Sequence, residues 1–367
     1  MSSLIDFFIR KIENEQSAGT AIFPAGLFPA HRSNDLIGYS RPDTTLFFST
    51  IICFTLQKIF HDLPEVYQER IRKVVDKVTP NYEDFKNKDG LKTYNFWKTK
   101  PSRHFPNGYL FRHFEHFRIP DDLDDTAFVY LTTAPSGDEL LWLKQKLTQH
   151  ANGHRQWIRN TYPEYKPLRA YSTWFGKNMY IEFDACVLSN MLYLIFERKL
   201  PLNDHDQDSL TYIRSVVETR RYLREPFRCA HQYPHTALII YHVARLMAAF
   251  DPPELQPVKS RLIADCRALL QTEPHVMCRI LLASSLLRLG EMAPKIDVST
   301  FTEETFKGFY FFIAGLLTAY EHPLLYRLAS NRLFHMYWTC PAHAWVLLLE
   351  YEVLYEKSQV FPAKITA

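Results

Sequence analysis

Two kinds of helical segment alternate along this chain, and their alternation constrains the fold more than any other feature. Segments of one kind are apolar on nearly all sides, and those of the other kind are amphipathic and rich in charge. Strand patterns are few. The predicted apolar helices lie at 44–60, 125–132, 181–197, 235–250, 275–289, 306–320 and 341–356, and the amphipathic helices at 65–78, 137–150, 205–223 and 254–270.

A helix that is apolar all round must be buried on all sides, so the alternation predicts inner helices wrapped by outer ones. The expected fold class is all-α, an α/α toroid in which about six helical hairpins close into a ring. A regular solenoid is disfavoured because no fixed repeat period is present, while a generic helical bundle remains an alternative. We expect residues 1–367 to form a single domain with long loops at about 81–120 and 152–180.

Charge and cysteine usage exclude several classes of protein. The formal net charge is +3 and there is no block of Lys or Arg, so nucleic acid is not an expected partner. The six cysteines are scattered without a CxxC pair, which predicts reduced, buried thiols in a cytoplasmic protein. Residues 1–15 lack the pattern of a signal peptide and no transmembrane segment is expected. Peripheral contact with a membrane and the oligomeric state stay open.

Acidic residues crowd the stretch from Pro120 to Ala127, where Asp121, Asp122, Asp124 and Asp125 place four carboxylates in five positions. Carboxylates this close cannot all ionise freely, so at least one pKa should be raised. Such a cluster can bind a divalent cation or keep one carboxylic acid protonated as a proton donor. The alternative is an acidic helix start, since Asp is a good N-cap.

Polar residues recur at the beginnings of the apolar helices, which would meet at one rim of a toroid. Helix capping explains the aspartates but explains the histidines poorly, because the positive end of a helix dipole does not favour His. Aromatic residues make up 15% of the chain, enough to line a cavity or to fill a large core. The predicted substrate-binding residues at this rim are Asp121, Trp174, Phe175, Glu182, Asp184, His235 and His275.

The acidic run has the form DxDDTA, as Asp122-Leu123-Asp124-Asp125-Thr126-Ala127, and in this it resembles class II terpene cyclases and squalene-hopene-type cyclases. The resemblance implies membership of the terpenoid cyclase–prenyltransferase superfamily and a protonation-initiated cyclisation of an isoprenoid. It implies that Asp124 is the catalytic acid, supported by Asp122 and Asp125. Protonation itself needs no cofactor, and a diphosphate substrate would bring in Mg²⁺. Aromatic walls would stabilise the carbocations.

Two other resemblances use some of the same residues. Asp121, Asp122 and Asp125 also fit the DDxxD motif of class I terpene synthases, which binds Mg²⁺. The chain also resembles protein prenyltransferase β subunits, whose zinc site has Asp, Cys and His ligands. The corresponding residues here are Asp184, Cys186 and His235. For a diphosphate, the candidate cations are Arg214, Arg220, Arg221, Arg224 and Arg228.

Two functions of other classes compete with the cyclase. A carbohydrate-active toroid would use opposed carboxylates such as Asp124 and Asp184 in an open polar cleft. A non-catalytic scaffold would have side chains filling the space beside Asp124. The surroundings of Asp124 therefore discriminate between the three hypotheses.

Overall fold

The computed structural model describes residues 2–114, 117–177, 179–318 and 320–360, and helices dominate this part of the chain. Some positions of the predicted domain, loops and helices lie outside the described residues, namely 1, 115, 116, 178, 319 and 361–367. The α-helices are α1 Ser2–Glu15, α2 Leu46–Ile59, α3 Glu65–Val78, α4 Leu123–Thr132, α5 Gly137–Gln149, α6 Ala185–Glu197, α7 Asp204–Glu218, α8 Arg221–Arg224, α9 Pro226–Cys229, α10 Thr236–Phe250, α11 Gln256–Thr272, α12 Val276–Arg288, α13 Pro323–Ala329 and α14 Pro341–Val360.

The two kinds of helix take the two environments that the sequence predicts. Nearly all residues of α2, α4, α6 and α10 are buried, whereas α3, α7 and α11 bury only one side. Two of the amphipathic helices begin at strong caps. Ser136 and Glu139 form a reciprocal capping box at α5, and Asn203 and Asp206 form another at α7.

The apolar helices contact one another in a cyclic order. Helix α2 packs on α4, α4 on α6, α6 on α10, α10 on α12, α12 on α14, and α14 on α2 again. Amphipathic helices lie against this cycle from outside, with α3 on α2, α7 on α6 and α11 on α12. Helix α1 packs on α14.

A small antiparallel sheet corrects the all-α prediction. Its strands are β1 Ala30–Asn34, β2 Tyr39–Asp43, β3 Phe312–Gly315 and β4 His335–Thr339, in the order β2-β1-β4-β3. In this sheet His31 pairs with Pro42 and Thr339, and Phe312 pairs with Trp338. The strands are short and three of them lack a regular alternation of buried and exposed residues, so the sequence gives little signal for them.

Strand β3 replaces the helix predicted at 306–320. Gly308 adopts a positive φ of 81° in this segment and Gly315 ends the strand, so glycine weakens the helix at two points. Phe312 instead stacks on Trp338 of β4, with ring centroids 5.4 Å apart. Cross-strand aromatic packing therefore outweighs the helical pattern in this segment.

Two further expectations of the sequence are confirmed, namely the buried free thiols and the lack of a membrane-spanning helix among the described residues. All six cysteines are free thiols and buried. No helix among the described residues combines the length and the apolar character needed to cross a bilayer. The predicted loop regions lack long helices and cover the N-terminal ends of α4 and α6, where Asp122 pairs with both Tyr94 and Trp174 in isolated β-bridges.

Candidate functional site

An aromatic chamber lies at the N-terminal ends of α2, α4 and α6, where β3, β4 and the two loops meet. Its space amounts to about 520 Å³ including the mouth, and about 60 Å³ is wide enough for water-sized molecules. The aromatic lining residues are Phe47, Phe96, Trp97, Phe105, Trp174, Tyr233, Phe312 and Trp338, and the polar ones include Asp122, Asp124, Asp125, Thr173 and Gln232. Three of the four clustered aspartates therefore face one apolar space.

Asp122 and Asp125 form a hydrogen-bonded carboxyl pair at the start of α4. Asp122 is the N-cap and its Oδ1 accepts from the backbone N–H of Asp125 at 2.9 Å. Burial and the neighbouring Asp122 raise the pKa of Asp125 well above its usual range, and burial raises the pKa of Asp122 to about 7. Of the two carboxyl groups, Asp125 therefore favours the protonated form more strongly. Its Oδ1 is buried and has no hydrogen-bond partner among the described residues.

Asp124 is held differently, because both of its oxygens accept hydrogen bonds. Oδ1 accepts from Asn190 Nδ2 at 2.8 Å, and Oδ2 accepts from the hydroxyl of Tyr233. Burial raises the pKa of Asp124 to about 6, while the bonds from Tyr233 and Asn190 and the charge of Arg245 act in the opposite direction. Its surroundings therefore favour the ionised form far more than those of Asp125 do.

Arg245 supplies a buried positive charge behind Asp124. The side chain is 2% exposed, and its Nη2 donates to Asn190 Oδ1. Its guanidinium lies 5.0 Å from the ring centroid of Phe54 and 5.4 Å from that of Tyr241. The chain Arg245–Asn190–Asp124 thus links α10, α6 and α4 through polar groups inside an apolar core.

An outer groove of about 3160 Å³ including its mouth adjoins the chamber, and Trp174 lines both. Phe175 and Asp121 also line the groove. The Asp121 carboxylate accepts from Asn87 at 2.6 Å and Thr93 at 2.5 Å, and from Asn95 as well. Asp121 therefore anchors the long loop before α4.

Glu182 and Asp184, predicted to bind substrate, are buried behind the chamber lining. Glu182 accepts from Gln232 Nε2 at 2.8 Å and from the Tyr180 hydroxyl at 2.9 Å. Asp184 caps α6 by accepting from the N–H groups of Cys186 and Val187, and it also accepts from the Gln232 backbone at 2.8 Å. Both residues hold Gln232, which does line the chamber.

His235 and His275 line neither the chamber nor the outer groove. Each accepts a hydrogen bond at Nδ1 from the backbone two residues ahead and so caps α10 or α12. Gln232 and Tyr233, just before α10, do line the chamber, so only the side chain of His235 points elsewhere at this helix start. His235 lies instead beside Glu273, with Nε2 to Oε2 at 4.0 Å, and beside Cys278.

The alternative metal sites do not form within the described residues. The group of His, Cys, Asp or Glu side chains close enough to share an ion is His235, Glu273 and Cys278. Asp121, Asp122 and Asp125 do not form such a group, because two are paired with each other and the third is bonded to the loop. Asp184 and Cys186 do not join His235.

The arginines proposed to bind diphosphate lie outside both cavities. Arg220 pairs with Asp265 at 2.9 Å, Arg228 pairs with Glu225 at 3.1 Å, and Arg221 pairs with Glu164. Arg224 donates to the carbonyl of Thr219. The charges of Arg220, Arg221 and Arg228 are thus used in ion pairs outside the two cavities.

Sequence reasoning did not find the residues that hold Asp124, namely Tyr233, Asn190 and Arg245. A signal for two of them was present, since Asn190 and Arg245 interrupt helices that are otherwise apolar. A buried polar residue in such a helix requires a buried partner. Tyr233 lies in the turn before α10 and carries no comparable signal.

Comparison with known proteins assigns no family to this geometry. No model of a known protein family matches the chain, and neither the curated proteins nor the solved structures include a match.

Proposed function

We propose that this protein is a class II terpene cyclase-like enzyme with an α/α toroid fold, which protonates an isoprenoid and so starts its cyclisation. The cyclic packing of α2, α4, α6, α10, α12 and α14, with amphipathic helices outside, supports the toroid. Six buried free thiols fit the reducing cytoplasm.

The observation that carries the proposal is the pair of buried carboxyl groups, Asp122 and Asp125, in the wall of an aromatic chamber. The pKa of Asp125 is raised well above its usual range, and its buried Oδ1 has no hydrogen-bond partner among the described residues. Protonation of an alkene requires an acid that is shielded from water, and this acid lies beside apolar walls. The faces of Phe47, Phe312 and Trp338 suit the stabilisation of a carbocation.

The reaction balances without a further reactant. The acid transfers its proton to an alkene carbon, a second alkene attacks the resulting cation to form a carbon–carbon bond, and the last cation loses a proton to a carboxylate. The product is an isomer of the substrate. The narrow chamber requires Phe105 or Trp174, at the boundary with the outer groove, to move when an isoprenoid enters.

The three acids of the motif have different roles in this proposal. Asp124, the acid implied by the family resemblance, is anchored by Tyr233 and Asn190. The geometry favours Asp125, with Asp122 as the carboxylate that holds its proton, and Asp124 as the negative charge that faces the cation.

The test is incubation of the protein with farnesyl and geranylgeranyl diphosphate and with squalene, followed by mass spectrometry of the extracted products. Asp125→Asn should lose product by at least 100-fold, and Asp124→Asn should retain a measurable rate. The control is Asp297→Asn, since Asp297 is exposed and far from both cavities.

Three outcomes decide between the hypotheses. Loss of product in Asp124→Asn but not in Asp125→Asn would show that Asp124 is the catalytic acid, and the cyclase proposal would still hold. Equal product from all variants would overturn acid catalysis by this motif. A wild-type protein that converts none of these substrates would overturn the cyclase proposal.

The carbohydrate-active alternative receives less support from the surroundings of Asp124. Asp184, its proposed partner, is used to cap α6 and to hold Gln232, and the space beside Asp124 is lined mostly by aromatic rings. A glycosidic bond between two carboxylates needs an open cleft that these residues do not provide.

A further inference from the structure

The outer groove carries an excess of positive charge. The cations that line it are Lys88, Lys98, Arg103, Arg118, Lys146, Arg155 and Lys177, and the acids are Asp89, Asp121 and Glu321. Every one of these acids already has partners. Asp89 pairs with Lys88 at 2.8 Å, Glu321 pairs with Arg159 at 3.5 Å, and Asp121 is bonded to its loop.

Five of the groove cations lack a carboxylate within ion-pair distance in the part of the chain that the structure describes. They are Arg103, Arg118, Lys146, Arg155 and Lys177; Lys98, by contrast, pairs with Asp84. Arg103 stacks on the ring of Tyr109, with the guanidinium carbon 3.7 Å from the ring centroid. Unpaired charges of one sign around a concave surface create a potential that attracts counter-ions.

Lys146, His150 and Arg155 form the centre of this charge at the end of α5. Burial, and then the charge of Arg155, lowers the pKa of Lys146. Burial together with Lys146 and Arg155 lowers the pKa of His150 to about 3. The charges of Lys146 and Arg155 thus repel each other, and the neutral His150 lies beside them in the groove. The C-terminal dipole of α5 favours a cation at Lys146 but does not account for Arg155 in the following loop.

His150 is an independent indication of a ligand. Its side chain lines the groove, is only 6% exposed, and presents a buried Nε2 that has no hydrogen-bond partner among the described residues. The ring is fixed edge-on against Phe175, with centroids 5.6 Å apart. An oriented, buried nitrogen without a partner is costly unless a ligand completes its bonding.

We propose that this groove binds the phosphate head of an amphiphilic ligand on Lys146, His150 and Arg155, with a diphosphate ester as the class of ligand. Phosphate oxygens provide the charge-assisted acceptors that Lys146 and Arg155 lack, and they can also accept from an N–H of the neutral His150. Trp174, Phe105 and Ile119 line both cavities, so a tail attached to the head passes between them into the aromatic chamber. The assignment of the tail rests on the proposed function, whereas the assignment of the head does not.

The experiment is isothermal titration of the full-length protein with inorganic diphosphate at low and moderate ionic strength. We expect Lys146→Gln and Arg155→Gln each to weaken the affinity by at least 10-fold, and added salt to weaken wild-type binding. Lys88→Gln is the matched control, because Lys88 lies in the same groove but is paired with Asp89, and its affinity should stay within about twofold. Circular dichroism checks that each variant is folded.

Wild-type protein that fails to bind diphosphate, or equal weakening by Lys88→Gln and Lys146→Gln, would overturn the phosphate site. Vesicles of phosphatidylglycerol provide a second arm. If these vesicles bind the protein in a Lys146-dependent manner while free diphosphate does not, the groove is a membrane contact and the proposal is wrong.

The outcome of the diphosphate titration can be told apart from the outcome of the cyclase assay. Diphosphate binding without turnover of any isoprenoid would support the phosphate site and overturn the cyclase proposal. Turnover of squalene by a protein that does not bind diphosphate would support the cyclase proposal and overturn the phosphate site. Tighter binding of geranylgeranyl diphosphate than of inorganic diphosphate is the result expected if both proposals hold.

Discussion

Asp122 accepts hydrogen bonds from two groups of Asp125, the backbone N–H and the carboxylic acid. One residue therefore both caps α4 and holds the proton of its neighbour. The arrangement reduces the repulsion within the group of four close aspartates, because two of the carboxyl groups can carry one charge between them. Capping and acid chemistry, which the sequence presents as alternatives, are here combined in the same pair.

Asp125→Asn should leave the protein stable, because the amide of Asn can donate to Asp122 as the carboxylic acid does. We expect the free energy of unfolding to stay within about 1 kcal/mol of wild type. Asp122→Ala removes the cap and the acceptor together, and it should cost about 2 kcal/mol. Urea denaturation at pH 7 measures both, and a larger loss in Asp125→Asn than in Asp122→Ala would contradict the pairing.

Stability should fall as the pH rises from about 4 to 7. The pKa of Asp124 is raised from 3.8 to about 6 in the folded protein, so the folded state binds this proton more tightly than the unfolded state. The stabilisation is fully present below the pKa of the unfolded state and is lost as the pH rises through the pKa of the folded state. The free energy lost in this way from Asp124 amounts to about 3 kcal/mol. Asp122, with a pKa of about 7, acts in the same direction.

The free energy of unfolding, measured by urea denaturation at several pH values, checks this slope. Asp124→Asn should flatten it. Asp297→Asn should not, because hydrogen bonds from Ser299 lower the pKa of that exposed carboxyl. A wild-type stability that rises over this interval would show that the buried acids do not dominate the titration.

Tyr233→Phe should destabilise the protein more at pH 8 than at pH 5. The Tyr233 hydroxyl donates to the Asp124 carboxylate, and a hydrogen bond to a charged acceptor contributes about 1.5–3 kcal/mol. At pH 5 most of Asp124 is protonated, so the loss should be nearer 1 kcal/mol. The control is Tyr212→Phe, since Tyr212 donates to the uncharged carbonyl of Cys229 at 3.0 Å. Its cost should be similar at both pH values in urea denaturation.

Arg245→Met should lower the free energy of unfolding by about 3 kcal/mol, because Asp124 and Asn190 would lose a buried positive partner. Arg10→Met is the matched control. Arg10 pairs with Asp6 on the surface with a side chain that is 62% exposed, so its loss should cost less than about 0.5 kcal/mol. Chemical denaturation compares the two, and equal small effects would contradict a structural role for Arg245.

The helices were predictable from the sequence because their signal is local. An apolar run such as 44–60 or 235–250 specifies a buried helix by its own side chains, and α2 and α10 begin and end within two residues of these predictions. The sheet was not predictable to the same degree. Strand β3 exists because Phe312 meets Trp338, a residue 26 positions away that the local pattern does not indicate.

The candidate site also has one part that the local sequence predicts and another that depends on long-range contacts. The motif Asp122-Leu123-Asp124-Asp125 by itself identified the acidic start of a buried helix and the crowding that raises a pKa, since both follow from short-range repulsion along the chain. Only the tertiary structure decided that Tyr233, Asn190 and Arg245 surround Asp124, and that burial and the neighbouring Asp122 raise the pKa of Asp125 well above its usual range. The protonation state of each aspartate depends on partners from other helices, and the packing of those helices brings them together.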